Sequence, residues 1–97
     1  MEIKIKALKF DADEKLAAFV IKKVSRLEKF FEGATQEAEV MLEDAAKEGK
    51  KAKIHIHVPG DELIIERSAD TFENSITECV DAMKEKLTRS KEKMLEK

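Results

Sequence analysis

The sequence has 97 residues, of which 42% are hydrophobic and 41% charged, and its net charge is −2. This length suits a single domain over residues 1–97, with one modest core between two layers, and is too short for two domains. The apolar fraction excludes a disordered chain. The slightly acidic balance differs from the basic balance of a typical nucleic-acid-binding domain. Five phenylalanines, with no Trp or Tyr, are expected to supply most of the bulk of the core.

Charge is distributed unevenly along the chain. Residues 37–48 contain five acidic residues and one Lys, whereas residues 84–97 contain six basic and three acidic residues. The single cysteine, Cys79, cannot form an internal disulfide, which favours a reducing compartment. Neither an apolar run of about 20 residues nor a signal peptide is recognisable. We therefore expect a cytoplasmic protein without a membrane partner.

The first part of the chain is predicted to form a strand, a helix and a second strand. Residues 2–8 alternate apolar and charged side chains, which indicates a strand with one solvated face. Asp11 or Asp13 is expected to cap a helix that runs to about Glu32, and Gly33 to end it as a left-handed C-cap. Residues 36–43 alternate again as the second strand. The buried stripe of the helix is predicted to contain Leu16, Val20, Val24, Leu27 and Phe31.

Two further strands and a second helix follow. A hairpin loop around Gly49 leads to a strand over residues 51–58, and Pro59 with Gly60 predicts the next turn. The fourth strand covers residues 62–68, and the apolar run over 63–65 leaves open which face it buries. Asp70 or Thr71 is expected to cap the second helix. The apolar stripe of that helix is predicted to contain Phe72, Ile76, Val80, Met83, Leu87 and Met94.

The predicted order, β-α-β-β-β-α, indicates the α+β class: a two-layer domain in which two helices cover one face of a four-stranded, mainly antiparallel sheet. No Ser/His/Asp set, CxxC pair or phosphate-binding glycine loop is present in the sequence. We therefore expect neither enzymatic activity nor a cofactor. Cys79, at the edge of the second helix's apolar stripe, is predicted to be a buried, inert thiol.

Two histidines are the strongest candidates for metal ligands. His55 and His57 lie two residues apart, so both rings project from the same face of the third strand. Glu39 or Glu43 would complete a metal site if the register of the strands allowed it. We favour the alternative, which is two half-exposed sheet histidines and no metal site.

Basic residues occupy separate sectors of the two helices. On the first helix Lys22, Arg26 and Lys29 fall within about 60° of one another, away from the apolar stripe. On the second helix Lys86 and Arg89 begin a similar basic flank. One interpretation is a pair of solvated faces with i,i+4 ion pairs. The separation of charge by sign favours another, in which the two basic faces merge into one patch that binds phosphates without reading sequence.

Four segments carry a resemblance to a known family. They are the opening MEIKIKALKFDADEKL, the helix EKLAAFVIKKVSRLEKFFEG, the start of the second helix, DTFENSI, and the tail LTRSKEKM. In this order they resemble the ribosome hibernation-promoting factor and ribosome-associated inhibitor (Y protein) family, and the resemblance covers nearly the whole chain.

The resemblance implies a non-enzymatic protein that binds the small ribosomal subunit near the mRNA, A-site and P-site region. Such a protein inhibits translation and stabilises idle ribosomes in stationary phase or stress. Glu85 stands where the family often has Arg, with Lys86 beside it as a substitute. Contacts with ribosomal RNA are implied for the following residues: Lys22, Lys23, Arg26, Lys29, Lys86, Arg89, Lys91 and Lys93.

The resemblance also bears on assembly. Because the sequence ends at Lys97, we expect a short form without the additional C-terminal domain that long members use to pair ribosomes. Pairing of ribosomes would then need a separate partner, and the free protein is expected to be monomeric. Two alternative functions stay open: a generic double-stranded RNA-binding module, and a protein-interaction domain that uses the exposed sheet face.

Overall fold

A computed structural model describes the backbone of residues 2–30, 37–58 and 61–95, and the side chains of these ranges except those of Val58, Asp61 and residues 89–95. The predicted β-α-β-β-β-α order is confirmed, and the second, third and fourth strands begin and end within one residue of their predicted limits. The elements are β1 (Glu2–Leu8), α1 (Glu14–Ser25), a 3₁₀ segment (Arg26–Phe30), β2 (Glu37–Asp44), β3 (Lys50–Val58), β4 (Asp61–Ala69) and α2 (Phe72–Leu95).

The four strands form one sheet in the order β1-β2-β3-β4. The β2–β3 and β3–β4 pairs are antiparallel, whereas β1 and β2 are parallel, so the prediction of a mainly antiparallel sheet is confirmed. The parallel pair follows from α1, because a parallel pair needs a crossover connection, which a helix commonly supplies. The β2–β3 hairpin depends on Gly49, whose φ is +93° and where an added Cβ would lie 2.8 Å from the Ala69 carbonyl oxygen.

Both helices cover one face of the sheet and bury its apolar side chains. On β2 and β3 these are every second residue, which is the period of a strand. The sequence left open which face of β4 is buried. In the structure Leu63 is buried and Ile65 is partly buried against the core, whereas Ile64 is exposed. The sheet contributes these fully buried residues: Ala38, Val40, Leu42, Ala52, Ile54 and Ile56.

The core is aliphatic rather than aromatic. Among the described phenylalanines, only Phe72 is buried, while Phe10, Phe19 and Phe30 pack against the edge of the core. The expectation that phenylalanines supply most of its bulk was therefore wrong. The physical reason is that the helices pack on the sheet mainly through aliphatic side chains and Met83 at the spacing of their stripes. The largest helix residues that are fully buried are Leu27, Ile76, Met83, Val20 and Val24.

The helix starts match their predicted caps. The Asp13 carboxylate accepts a hydrogen bond from the Leu16 amide at 2.8 Å, and the Thr71 hydroxyl accepts one from the Asn74 amide at 3.1 Å. Each cap satisfies an amide that a helix leaves unpaired in its first turn. Within the described residues, no helix is long and apolar enough to cross a bilayer.

The first helix ends differently from the prediction. The α-helical part stops at Ser25, where the sequence predicts a helix to about Glu32, and the chain continues as 3₁₀ helix to Phe30. The Arg26 amide donates to the Lys23 carbonyl, which is the i−3 pattern of a 3₁₀ turn. The Ser25 hydroxyl bonds to the Ile21 carbonyl, a local contact that competes with regular helix geometry. Phe31 and the proposed cap Gly33 lie outside the described residues.

Candidate nucleic-acid interface

The predicted basic residues of the first helix are held by its buried stripe. Val20, Val24 and Leu27 fix the rotation of this segment on the core. Lys22, Arg26 and Lys29 are consequently exposed, and Lys23 is half-buried. These four side chains are therefore available at the surface, and they lie on the layer opposite the open sheet face.

Two of these lysines rest against aromatic rings. The Lys23 ammonium lies 5.6 Å from the centroid of the Phe19 ring, and the Lys29 ammonium lies 5.5 Å from that of Phe30. Both distances are within the range of cation–π attraction. Such contacts restrict a long side chain while leaving its donors free to reach an anion.

A shallow groove runs between the two helices and brings together basic residues from both. Lys23 and Arg26 line it from the first helix, and Lys84 lines it from α2. Asp81 is the acidic residue in its lining, so three cations face one carboxylate. We call this surface, with its floor of Leu27, Thr77 and Val80, the helix groove. Three cations against one carboxylate give it a net positive charge in a protein whose total charge is negative.

Lys86 does not lie in the helix groove. It lines a separate hollow on the other side of α2, beside β4, with Ile65, Arg67 and Glu85. The structure therefore brings Lys23 and Arg26 together with Lys84 and not with Lys86. The three remaining predicted contacts, Arg89, Lys91 and Lys93, lie on the α2 backbone, and their side chains are outside the described part of the chain.

Lys84 was not among the predicted contacts. On α2 it lies three residues after Asp81 and seven after Thr77, so these three residues share one flank of the helix. That flank was visible in the sequence, but its importance depends on which side of α2 the first helix occupies. Only the packing of the two helices identifies Lys84 as a neighbour of Lys23 and Arg26.

The acidic residues of β2 project mainly from the other side of the protein. We call this side, away from the helices, the open face. Lys4 Nζ lies 2.7 Å from Glu37 Oε1, and Lys9 Nζ lies 3.3 Å from Glu43 Oε2. The hydrogen bond from Lys4 holds the pKa of the Glu37 carboxyl below its ordinary value. Glu37 and Glu43 are therefore each paired with a lysine, and both lie away from the helix groove.

Cys79 has the properties of a structural thiol. It is fully buried, and its Sγ donates to the Ala52 carbonyl oxygen at 3.2 Å. Burial raises its pKa to about 11, mainly because the thiolate would lose its hydration. The thiol is thus protonated at neutral pH, and a thiolate is the form that reacts.

This raised pKa predicts a loss of stability at alkaline pH. In the unfolded chain the thiol has a pKa near 8.5, so the unfolded state loses this proton first as the pH rises. The contribution of Cys79 is therefore complete below about pH 8.5 and is lost as the pH approaches the folded pKa of about 11. We expect the contribution of Cys79 to the free energy of unfolding to fall by about 3 kcal/mol across this range. Urea titrations at several pH values, with Cys79→Ala as the control, measure this: parallel pH profiles for the two proteins would contradict the assignment.

Known proteins match this chain along nearly its whole length. Residues 3–95 match the family model described as Sigma 54 modulation protein / S30EA ribosomal protein. Over 97 residues the chain is 27% identical to a ribosome hibernation promoting factor of Azotobacter vinelandii, covering 100% of this chain and 89% of the relative.

Two solved structures share the fold. The N-terminal domain of Protein Y from Thermus thermophilus superimposes with a TM-score of 0.83 at 24% identity, covering 92% of this chain and 98% of the other. A ribosomal subunit interface protein from Coxiella burnetii superimposes with a TM-score of 0.80 at 15% identity, covering 94% and 98%. The family model covers almost the whole chain. Together with the relative from Azotobacter vinelandii, it confirms the resemblance to the ribosome hibernation-promoting factors that the sequence motifs indicated. The chain belongs to the Sigma 54 modulation protein / S30EA ribosomal protein family.

Proposed function

We propose that this protein binds the small ribosomal subunit through the helix groove, inhibits translation, and stabilises idle ribosomes under stress or in stationary phase. The observation that carries the proposal is the convergence of Lys23, Arg26 and Lys84 in one groove. The family and the names of the relatives support a ribosomal partner, because they include a ribosome hibernation promoting factor and a ribosomal subunit interface protein.

The chemistry of the groove suits ribosomal RNA. Lysine ammonium groups bind phosphates as point charges, and the Arg26 guanidinium can bind a phosphate with two parallel hydrogen bonds. These contacts depend on the path of the RNA backbone rather than on base sequence. The proposed interface continues from the groove to the flanking cations, near the mRNA, A-site and P-site region of the subunit. The flanking residues are Lys22, Lys29, Lys86, Arg89, Lys91 and Lys93.

The folded RNA of the subunit, rather than any duplex, is the proposed ligand. The layer of two helices presents three cations along one groove, so a ligand must supply phosphates in a matching arrangement. A generic double-stranded RNA binder would accept any A-form duplex through its phosphates and 2′-hydroxyls. Competition between the two kinds of RNA therefore separates these functions.

Co-sedimentation with purified subunits tests the proposal. At constant Mg²⁺ and about 50 mM monovalent salt, we expect the protein to sediment with small subunits and not with large ones. Raising the salt to about 200 mM should release it, because each neutralised phosphate makes binding more salt-dependent. Excess unrelated duplex RNA should not displace it. Retention in the supernatant at low salt would contradict ribosome binding, and displacement by any duplex would favour the generic alternative.

A translation assay tests the inhibitory part of the proposal. Added protein should reduce reporter synthesis in a cell-free system in proportion to the fraction of small subunits it occupies. Binding without any loss of synthesis would leave the association intact and contradict the inhibition.

A further inference from the structure

A second cluster of chemically active side chains lies on the open face, away from the helix groove. It combines Glu39 of β2 with His55 and His57 of β3, and Glu62 of β4 lies beside it. The register of the sheet creates the cluster: Glu39 is the pairing partner of His55, and Glu62 is the pairing partner of His57. Three neighbouring strands therefore bring four potential metal ligands into two adjacent rows.

We propose that Glu39, His55 and His57 bind a divalent transition-metal ion of the Zn²⁺ type, with Glu62 within reach as a fourth ligand. One ligand atom from each of the first three residues lies within 4.8 Å of the other two. In a tetrahedral zinc site, ligand atoms about 2.1 Å from the metal are about 3.4 Å apart. Rotation of the exposed Glu39 side chain and of the two half-buried imidazoles would bring the ligand atoms to this separation.

The contacts of Glu62 support the fourth position. Its two carboxylate oxygens lie 3.3 Å from His57 Nδ1 and 3.6 Å from His55 Nε2. On the other side of the His55 ring, Nδ1 lies 3.9 Å from Glu39 Oε2. The two imidazole rings are 4.2 Å apart between centroids, so they already share one site. Glu62 therefore lies between the two imidazoles, and Glu39 approaches the His55 ring from its Nδ1 side.

The environment of His55 is a second observation in favour of a ligand. Its Nε2 is shielded from solvent, and within the described residues it has no hydrogen-bond partner. Buried polar atoms in native proteins are normally satisfied by a partner, water or an ion. A coordinated metal would satisfy this nitrogen while Glu39 and Glu62 neutralise the charge of the ion.

The nature of the donors selects the metal class. Imidazole nitrogens favour Zn²⁺ and neighbouring transition metals, whereas Mg²⁺ and Ca²⁺ prefer oxygen ligands alone. Lys4 lies opposite Glu39 in the β1–β2 register. Its ammonium nevertheless forms an ion pair with Glu37, at a distance of 2.7 Å. The nearest paired lysine on β1 is thus already engaged with another carboxylate.

Titration of the full, untagged chain with ZnCl₂ after removal of metal by EDTA tests the site. Isothermal calorimetry at neutral pH should show one ion per chain with micromolar affinity. Glu39→Gln and His57→Gln should each weaken binding by about tenfold or more. Zinc at about 100 times its Kd should also raise Tm on the order of 10 °C, since an ion that ties three strands binds only the folded state.

Two control variants separate this site from other zinc binding. Glu66→Gln removes a carboxylate from the same open face at a position paired with Lys53, outside the cluster, and should bind zinc like the unmodified chain. Cys79→Ala removes the other strong zinc ligand of the sequence and should also leave binding unchanged. Absence of heat and of a Tm rise, equal weakening in Glu39→Gln and Glu66→Gln, or loss of binding in Cys79→Ala would each overturn the proposal.

Discussion

Replacing Lys23, Arg26 and Lys84 together by glutamine is expected to weaken binding to the small ribosomal subunit by about 100-fold at 50 mM salt. Each substitution removes one cation that neutralises a phosphate, so counterion release on binding falls with it. The slope of log K against log salt should consequently become less steep by about two to three units. Affinities measured by filter binding or sedimentation between 50 and 200 mM salt supply both quantities.

A matched control removes the same charge from the other side of the protein. Lys4, Lys6 and Lys53 all lie on the open face, and their replacement by glutamine lowers the net charge by the same amount. This triple variant should bind nearly as well as the unmodified chain. Equal losses in both variants would mean that total charge, rather than the helix groove, governs association. A larger loss in the control would place the interface on the sheet.

Lys86 gives a finer test of the extent of the interface. It lies beside β4, across α2 from the helix groove. If bound RNA extends around α2, Lys86→Gln should reduce the salt slope by about one unit. No change would confine the interface to the side of α2 that faces the first helix.

Replacing Ile54 by alanine is expected to lower the free energy of unfolding by about 2–5 kcal/mol. Ile54 is fully buried in β3, where it pairs with Val40 and Ile65 on the two neighbouring strands. Because β3 is flanked by strands on both sides and covered by α2, the structure cannot easily close the resulting cavity. A domain of this size has a total stability of only about 5–15 kcal/mol. Tm should therefore fall by roughly 10–30 °C.

Ile21 provides the control, because it is 46% exposed on α1 and the chemical change is identical. Ile21→Ala should change the free energy of unfolding by about 0.5 kcal/mol or less. Urea denaturation monitored by circular dichroism compares the two variants. Similar midpoints for Ile54→Ala and Ile21→Ala would contradict the placement of β3 at the centre of the core.

The sequence was sufficient to predict the elements because most of them carry a strong local signal. The alternation in β3 and the caps at Asp13 and Thr71 are short-range features that do not depend on the rest of the fold. The facing of β4 was different, since Leu63, Ile64 and Ile65 fit either side. Its facing is set by pairing, which places Leu63 opposite the buried Ile56 and Ile64 opposite His55 on the open face.

The candidate interface was less predictable than the fold. The angular position of Lys23 on α1 follows from 3.6 residues per turn, and Arg26 comes next at the start of the 3₁₀ segment. The neighbour of Arg26 on α2 depends instead on where the two helices lie on the sheet, and Lys84 rather than Lys86 occupies that position. The histidine cluster shows the same limit: the spacing of His55 and His57 is local, whereas the contribution of Glu62 needs the β3–β4 register.

The topology of the sheet also has a consequence for the order of folding. β2, β3 and β4 pair with their neighbours along the chain through short connections, whereas β1 reaches β2 only after the chain has passed through α1. Closing the longer loop costs more entropy before any contact is gained, so we expect the hairpins to form the folding nucleus together with α2. β1 and α1 should dock afterwards. Substitutions at Ile54 should accordingly slow refolding, whereas substitutions at Ile5 should mainly accelerate unfolding, a difference that φ-value measurements detect directly.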